Sequence, residues 1–207
     1  MLFYKTISKP TLELLKSIQK IDVFRNLRLV GGTSLALQLG HRVSIDLDLF
    51  GDLKNVDKLD IDKTLGDLGV LKTIHTTNNI NIYTLNEIKV DIVNYHYQWL
   101  DKELNIDNLR LASVKDISAM KLSAIAGRGS RKDFIDIYFI LQRYTLEEIL
   151  AFYKKKYPDG SIFMVLKSLS YFDDADLEVM PRMFIDIDWN NIKSEIIYKL
   201  NEYLKNH

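Results

Sequence analysis

Hydrophobic and polar residues alternate with two different periodicities along the first half of the chain, which predicts a mixture of helices and strands up to about residue 110. Apolar residues recur at helical spacing after Pro10 and again over residues 57–68, so a helix is expected in each segment. A short apolar run at residues 27–30 ends in two glycines, which predicts a strand and a tight turn. Residues 34–39 then read as a helix that ends at a glycine.

Strand patterns dominate the middle of the chain. Strict alternation of apolar and polar residues predicts a strand over residues 43–50. Three further strand-like runs cover residues 70–76, 80–85 and 88–95. Asparagine-containing turn pairs separate these runs, so an antiparallel meander is expected.

The pattern becomes helical from about residue 113. Ser113, Thr145 and Ser161 stand where the N-caps of three helices are expected, and the first two are followed three residues later by an acidic residue. Two more helices are predicted after Arg131 and Asp188. The chain is therefore predicted to have an α+β fold, with a mixed sheet and helices over residues 1–110 and a helical region over residues 111–207.

Composition narrows the class of protein further. Hydrophobic residues make up 47% of the 207 residues and charged residues 27%, which is typical of a folded globular protein. The 28 Lys and Arg residues balance 28 Asp and Glu residues, so any contact with nucleic acid must come from local patches. The chain has no cysteine, which excludes disulfides and thiolate ligands. No apolar run approaches the roughly 20 residues of a membrane span, and a cytoplasmic protein is expected.

Two aspartates lie on one face of the predicted strand 43–50. Side chains alternate between the faces of a strand, so Asp46 and Asp48 are expected on the same side, about 7 Å apart. The opposite, apolar face is expected to hold Ile45, Leu47 and Leu49. Paired carboxylates suit Mg²⁺ or Mn²⁺. Taken alone, the same spacing is also typical of the solvated face of an edge strand.

A third aspartate favours the interpretation of this pair as a metal site. Asp91 lies within the apolar pattern of the predicted strand 88–95. If the two strands are neighbours, three carboxylates converge. Such a set suits the two-metal chemistry of phosphoryl and nucleotidyl transfer.

The glycine turn after the first strand is a candidate phosphate site. The segment Gly31-Gly32-Thr33-Ser34 would let the backbone approach an anion closely, and the following helix offers N–H groups to it. Either Thr33 or Ser34 could donate a hydroxyl. The same segment is also typical of an N-capped helix after a tight turn, and it is not a P-loop.

Charged residues cluster at the start of the predicted helical region. Asp133 and Asp136 are three positions apart and share a helix face, close to the positive end of the helix dipole. Lys121 follows the core-facing Met120, so it either extends along the core to solvent or points its charge at a phosphate.

Together these segments resemble nucleotidyltransferases of the AbiEii/AbiGii toxin family, within the DNA polymerase β-like superfamily. The resemblance spans about residues 25–143. The segments that carry it, in order, are Gly31-Gly32-Thr33-Ser34, His41 to Asp48, Lys89-Val90-Asp91, Asp116 to Lys121, and Arg131 to Asp136.

The resemblance implies a polymerase β-like core and a specific set of roles. The catalytic residues would be Asp46, Asp48, Asp91, Lys121, Asp133 and Asp136, with the metal, Mg²⁺ or Mn²⁺, held by Asp46, Asp48 and Asp91. The nucleotide would be held by Gly31, Gly32, Thr33, Ser34, Arg42, Lys121 and Arg131, with Arg128 or Lys132 as further candidates for phosphate contacts. The helical region 111–207 would complete the active site and the substrate cleft.

The family also implies an activity and partners. Its members transfer a nucleoside monophosphate from an NTP to an acceptor such as tRNA, as toxins of type IV toxin–antitoxin or abortive-infection systems used in phage defence. A cognate antitoxin protein is then expected, and no membrane partner. Two alternatives stay open from the residues: a transferase that modifies a protein or small-molecule hydroxyl, and a catalytically silent binding or regulatory relative.

Overall fold

The computed structural model describes residues 1–54 and 56–206, so His207, the last residue of the predicted helical region, lies outside the described residues. The described residues form two compact units. The sheet unit comprises Met1–Gly40, Ser44–Tyr97 and Glu103–Ala112. The helical unit comprises residues 41–43, 98–102 and 113–206, and so includes two short pieces from the first half of the chain. The domain boundary expected at residue 110 stays a prediction.

A seven-stranded mixed sheet organises the sheet unit. Its strands are β1 (Leu27–Leu29), β2 (Leu47–Gly51), β3 (Leu71–Thr76), β4 (Ile80–Leu85), β5 (Ile88–Asn94), β6 (Leu104–Ile106) and β7 (Leu109–Leu111). The spatial order is β3-β4-β5-β2-β1-β7-β6. β2 pairs with β5, and β1 with β7, in parallel, while the other neighbours are antiparallel. The predicted meander β3-β4-β5 is confirmed, whereas the β6–β7 hairpin was not predicted.

The sheet unit contains three α-helices within its described residues. They are α1 (Lys9–Gln19), α2 (Gly31–Leu39) and α3 (Lys58–Gly66), as the apolar spacing predicts. Apolar residues of α1 and α3 join the buried residues of the strands in one core, which includes Leu15, Ile18, Leu29, Leu47, Leu49, Ile61, Leu65, Tyr83, Val90 and Ile92. Because side chains alternate along a strand, the intervening residues of β2 and β5 lie on the opposite face and are only half-buried.

The strand predicted over residues 43–50 is shorter than expected. β2 begins at Leu47, the first residue that pairs with β5, and on the β1 side the last backbone bond is donated by Val30 N–H to the Asp48 carbonyl at 2.8 Å. The extended alternation fails before that point, since Ser44 is buried whereas Ile45 is 58% exposed. The expectation that Ile45 shares a buried face with the leucines of β2 is therefore wrong.

The glycine turn also differs from the prediction. Gly31 and Gly32 belong to the first turn of α2, which begins three residues before the predicted start at Ser34. Val30 is the N-cap residue. Strand β1 therefore leads directly into the helix.

The helical unit contains six α-helices within residues 113–206. They are α4 (Val114–Gly127), α5 (Arg131–Leu141), α6 (Leu146–Lys156), α7 (Ile162–Ser168), α8 (Asp173–Asp176) and α9 (Trp189–Asn206). The hydroxyls of Ser113, Thr145 and Ser161 each accept the predicted N-cap hydrogen bond, so these three helix starts are confirmed. The short α8 was not predicted. Among the helices of the described residues, none has both the length and the apolar character needed to cross a lipid bilayer.

A fully buried ion pair joins α4 to α6. Lys156 Nζ lies 2.7 Å from Asp116 Oδ1, and neither side chain is exposed to solvent. The ammonium also donates to the Gln98 carbonyl at 3.2 Å and lies 4.6 Å from the centre of the Trp99 ring. The carboxylate accepts the Leu100 N–H at 2.9 Å. The pair therefore fixes the short piece 98–102 within the helical unit.

Removing one member of this pair should destabilise the protein strongly. Lys156→Met leaves the Asp116 carboxylate buried without its cation, which we expect to lower the free energy of unfolding by about 3–5 kcal/mol. Urea unfolding measures the difference. Lys155→Met, at an exposed position of the same helix, is the matched control and should change the free energy by no more than about 0.5 kcal/mol. Equal effects of the two substitutions would contradict the structural role of the pair.

Candidate active site

The start of α2 is pressed against Asp48. Gly31 has φ = +65°, a backbone conformation that favours glycine. A Cβ atom added there would lie 2.3 Å from Asp48 Oδ2, so a larger residue would displace the carboxylate. Val30 gives no side-chain cap to the helix, whose first turn presents N–H groups at this point. The N-terminus of a helix, which suits an anion, and a carboxylate thus meet at Gly31.

The two candidate hydroxyl donors of this segment are both buried. Thr33 Oγ1 forms a hydrogen bond with Ser44 Oγ at 2.8 Å and another with the Asp46 carbonyl oxygen. Ser34 Oγ accepts a hydrogen bond from Gln38 Nε2 at 3.1 Å. Thr33 therefore holds the backbone of Asp46 against α2. The accessible part of the segment is the half-exposed glycine pair before Thr33.

Asp48 and Asp91 are direct neighbours across two parallel strands. The β2–β5 register pairs Asp48 with Asp91, so both side chains lie on the half-buried face of the sheet, on strands about 4.8 Å apart. The Asp91 side chain is 17% exposed. Asp46 is also half-buried and immediately precedes β2. The structure thus brings two of the three predicted carboxylates into register and leaves the third at the entrance to the strand.

A lysine that sequence reasoning did not select as a site residue contacts Asp91. Lys89 Nζ lies 2.7 Å from both carboxylate oxygens of Asp91. The two residues are two positions apart on β5 and hence share a face, which is the signal that could have identified the pair. Asp91 therefore has a cation beside it from its own strand.

The donor set fits a divalent cation that is shared with a nucleotide. Within the described residues, no three His, Cys, Asp or Glu side chains form a metal-binding group by themselves. Mg²⁺ is usually held by one or two carboxylates together with substrate phosphates and waters. Asp48 and Asp91, beside the anion-binding start of α2, match that pattern. The assignment of Asp46 as a third ligand stays a prediction.

The other predicted catalytic residues form a buried charge cluster in the helical unit. Lys121 Nζ lies 2.8 Å from Asp133 Oδ1 and 2.6 Å from Asp136 Oδ2. Arg42 donates to both oxygens of Asp136, from Nε at 2.7 Å and from Nη2 at 2.8 Å. His41 Nε2 lies 2.8 Å from the same carboxylate. Arg42, predicted to bind the nucleotide, is thus 2% exposed and engaged by Asp136.

Electrostatics keep this cluster charged and balanced. Burial alone would raise the pKa of Asp136, but Arg42 and Lys121 hold it well below its usual range. Burial alone would lower the pKa of Lys121, but Asp136 and Asp133 raise it. Burial lowers the pKa of His41 despite its carboxylate partner, so the imidazole is neutral at pH 7. Two cations therefore face two anions, with a neutral histidine beside them.

The remaining predicted phosphate contacts divide into engaged and exposed residues. The Arg131 guanidinium donates to the Ala175 carbonyl at 2.8 Å and to the Asp176 carbonyl at 2.9 Å, so it fixes the segment around α8. Arg128 is 75% exposed, and its Nε lies 3.4 Å from Asp133 Oδ2. Lys132 is exposed. Whether any of these residues contacts a nucleotide stays a prediction.

Gly31 offers a direct test of the close approach to Asp48. Gly31→Ala should lower the free energy of unfolding by at least about 1–2 kcal/mol, because a non-glycine residue is strained at positive φ and its Cβ would collide with the carboxylate. Gly66→Ala is the control, since a Cβ there meets no atom within 4 Å. It should raise the free energy by up to about 1 kcal/mol. Urea unfolding of both variants measures these free energies. A Gly31→Ala protein as stable as wild type would contradict the close approach of Gly31 to Asp48.

The buried histidine predicts a pH dependence of stability. An unfolded histidine takes up a proton below about pH 6.5, whereas His41 resists protonation in the fold. The free energy of unfolding should therefore fall as the pH decreases below about 6.5, with a slope of at most about 1.4 kcal/mol per pH unit.

Unfolding measured at about pH 7.5 and about pH 5.5 tests this prediction. His41→Gln should flatten the slope, because the amide does not titrate. The exposed His75 provides the control, and His75→Gln should leave the slope unchanged. A wild-type slope that persists in His41→Gln would refute the assignment.

Comparisons with known proteins identify the family and the fold of the chain. The family model described as nucleotidyl transferase AbiEii toxin, type IV TA system, matches residues 13–206. An uncharacterized protein of Aquifex aeolicus (strain VF5) is 33% identical over 209 residues, which cover 98% of this chain and 100% of the relative.

Solved structures share the fold at low sequence identity. JHP933 from Helicobacter pylori superposes with a TM-score of 0.59 at 19% identity, over 97% of this chain and 94% of that one. MenT4, a nucleotidyltransferase toxin of Mycobacterium tuberculosis, gives a TM-score of 0.61 at 14% identity, over 91% and 80%. The predicted polymerase β-like nucleotidyltransferase fold is confirmed. The chain belongs to the AbiEii family of type IV toxin nucleotidyltransferases.

Proposed function

We propose that this protein transfers a nucleoside monophosphate from an NTP to a hydroxyl at the acceptor end of tRNA, and that it acts as the toxin of a type IV toxin–antitoxin pair. The observation that carries the proposal is the in-register pair of Asp48 and Asp91 beside the glycine-started helix α2. Membership of the AbiEii family supports the transferase chemistry and the expectation of a cognate antitoxin.

The triphosphate is assigned to the start of α2. Gly31 and Gly32 are half-exposed there, and the N–H groups of the first turn suit phosphate oxygens. Mg²⁺ or Mn²⁺, held by Asp48 and Asp91 with Asp46, would supply positive charge to the transferred phosphate and to the leaving pyrophosphate. Thr33 supports this arrangement indirectly, through its hydrogen bond to the backbone of Asp46.

Asp91 is assigned as the base of the reaction. It takes the proton of the acceptor hydroxyl, whose oxygen forms a bond to the α-phosphorus. The bond from the α-phosphorus to the bridging oxygen breaks, and pyrophosphate leaves with the electron pair. Lys89 positions Asp91 by donating to both of its oxygens.

One observation favours a different acceptor. The formal net charge of the chain is zero, whereas proteins that bind nucleic acid through bulk charge are basic. A hydroxyl on a protein or a small molecule is therefore the second candidate acceptor. The catalytic residues and the leaving group would be the same.

A label-transfer assay tests the proposal. Purified protein is incubated with total tRNA, Mg²⁺ and each α-labelled NTP in turn. Asp48→Asn should reduce transfer by at least about 100-fold, since the loss of a ligand should exceed the 10–100-fold cost of losing a residue that only supports one. Asp67→Asn, an exposed aspartate next to α3, is the control and should transfer label like wild type.

Each result of the assay has a distinct meaning. Label on tRNA that depends on Asp48 supports the proposed reaction and identifies the preferred nucleotide. Label that appears only on added proteins or small molecules supports the second candidate acceptor. A wild-type protein that binds no NTP would leave the silent binding relative as the explanation.

A further inference from the structure

The carboxylate face of the sheet continues into an apolar surface. Phe50 pairs in register with Val93, and Val93 with Ile80, one step along the strands from the carboxylates. Residues two apart on a strand share a face, so Phe50 lies on the same side as Asp48, about 7 Å further along β2. One step along the strands, Phe50 and Val93 thus replace the two carboxylates on this face, and Arg28 of β1 pairs with Phe50.

Three aromatic rings extend this surface. We name Phe50, Tyr95 and Tyr97 the aromatic ladder. The ring centres of Phe50 and Tyr95 are 5.3 Å apart, and those of Tyr95 and Tyr97 are 5.5 Å apart. Phe50 and Tyr95 are half-buried, and Tyr97 is 51% exposed. A single exposed tyrosine is ordinary on a protein surface, but this one ends a continuous row of rings that begins beside the catalytic pair.

We propose that the aromatic ladder binds the unpaired bases at the single-stranded end of an RNA acceptor by stacking. The inference rests on the proposed function, because it names the residues that would hold the acceptor at that same site. Every base has a π-face, so aromatic rings bind single strands with little dependence on sequence. A ladder that starts about 7 Å from Asp48 would keep the terminal hydroxyl close to the carboxylates.

The position of the ladder selects the acceptor over the NTP. The triphosphate site at α2 follows β1, which pairs with the edge of β2 opposite to β5. Tyr95 and Tyr97 follow β5, the strand of the proposed base Asp91. The ladder therefore continues from the strand that activates the acceptor hydroxyl.

Charge on this face points to stacking as the main source of affinity. Lys89 and Lys72 are aligned through Thr84 in the β3–β4–β5 register, on the far side of the carboxylates from the ladder. Lys89 is already engaged by Asp91, and Arg28, which lies beside the ladder on β1, is 3.7 Å from the Glu103 carboxylate. With a chain of net charge zero, we expect RNA binding to release few counterions. The logarithm of affinity should fall against the logarithm of salt concentration with a slope of only about −0.7 to −1.4, as for one or two phosphate contacts.

Fluorescence anisotropy with a short labelled single-stranded RNA tests the ladder. Tyr97→Ala should weaken RNA binding by roughly 5- to 100-fold, the range expected from losing one stacked base. Tyr97→Phe keeps the ring and should bind within about 2-fold of wild type. Tyr171→Ala removes a ring of similar exposure, 53%, from the helical unit and should leave binding unchanged.

Steady-state kinetics with the RNA and the NTP supply a second measurement. Tyr97→Ala should raise KM for the RNA acceptor and leave KM for the NTP unchanged, a split that a merely structural role would not give. Unchanged RNA affinity in Tyr97→Ala, a higher KM for the NTP alone, or a steep salt dependence would overturn the proposal. An absence of RNA binding by the wild type would overturn it as well.

One variant separates this proposal from the proposed function. Asp48→Asn should reduce transfer by at least about 100-fold while it binds RNA like wild type, because the ladder is intact. If the wild type binds RNA through Tyr97 but transfers no label to any acceptor, the reaction is wrong and the ladder stands. If transfer depends on Asp48 but the RNA affinity does not change in Tyr97→Ala, the proposed reaction is supported and the proposed role of the ladder is refuted.

Discussion

The parallel pairing of β2 with β5 is the constraint on which the candidate site depends. Parallel neighbours cannot be joined by a tight turn, so the chain passes through α3 and the meander before β5 returns to β2. The burial of Val90 and Ile92 then sets the register, because a slip of one residue would turn Asp91 toward the core. Asp91 faces Asp48 because its two neighbours must be buried.

The carboxylates of the two units differ in their burial and in their partners. In the sheet unit, Asp48 and Asp91 are half-buried, Asp48 beside Gly31 and Asp91 beside Lys89. In the helical unit, Asp136 is fully buried and receives Arg42 and Lys121. Burying such groups costs free energy that their partners must offset, so the cluster is evidence of a fixed arrangement more than of stability. Any contact of Lys121 with a nucleotide would have to be made by an ammonium that already holds two carboxylates.

Much of this could be predicted from local pattern, and the failures have physical causes. The alternation of apolar and polar residues predicted correctly that Asp48 and Asp91 lie on the less buried faces of two strands, because it follows the burial of alternate side chains. The same rule failed at Ile45, because that residue precedes the first residue of β2 that pairs with β5 and lies beyond the end of β1. The β6–β7 hairpin was missed because its strands have three residues each, although Asp107 and Asn108, both at positive φ, form the kind of two-residue turn that joins such strands. The partners of Arg42 were beyond pattern reasoning, since Asp136 lies 94 positions away.

A net charge of zero is at odds with a nucleic-acid substrate only if charge is summed over the whole chain. A phosphate can be held by the N–H groups at the start of α2, which carry no formal charge. A base can be held by the rings of Phe50, Tyr95 and Tyr97, which carry none either. Neither device adds a lysine or an arginine, and both lie next to the carboxylates that would bind the metal. Such a site would rely on short-range contacts with the end of a strand, so a neutral surface elsewhere would keep the rest of a nucleic acid from binding along the protein.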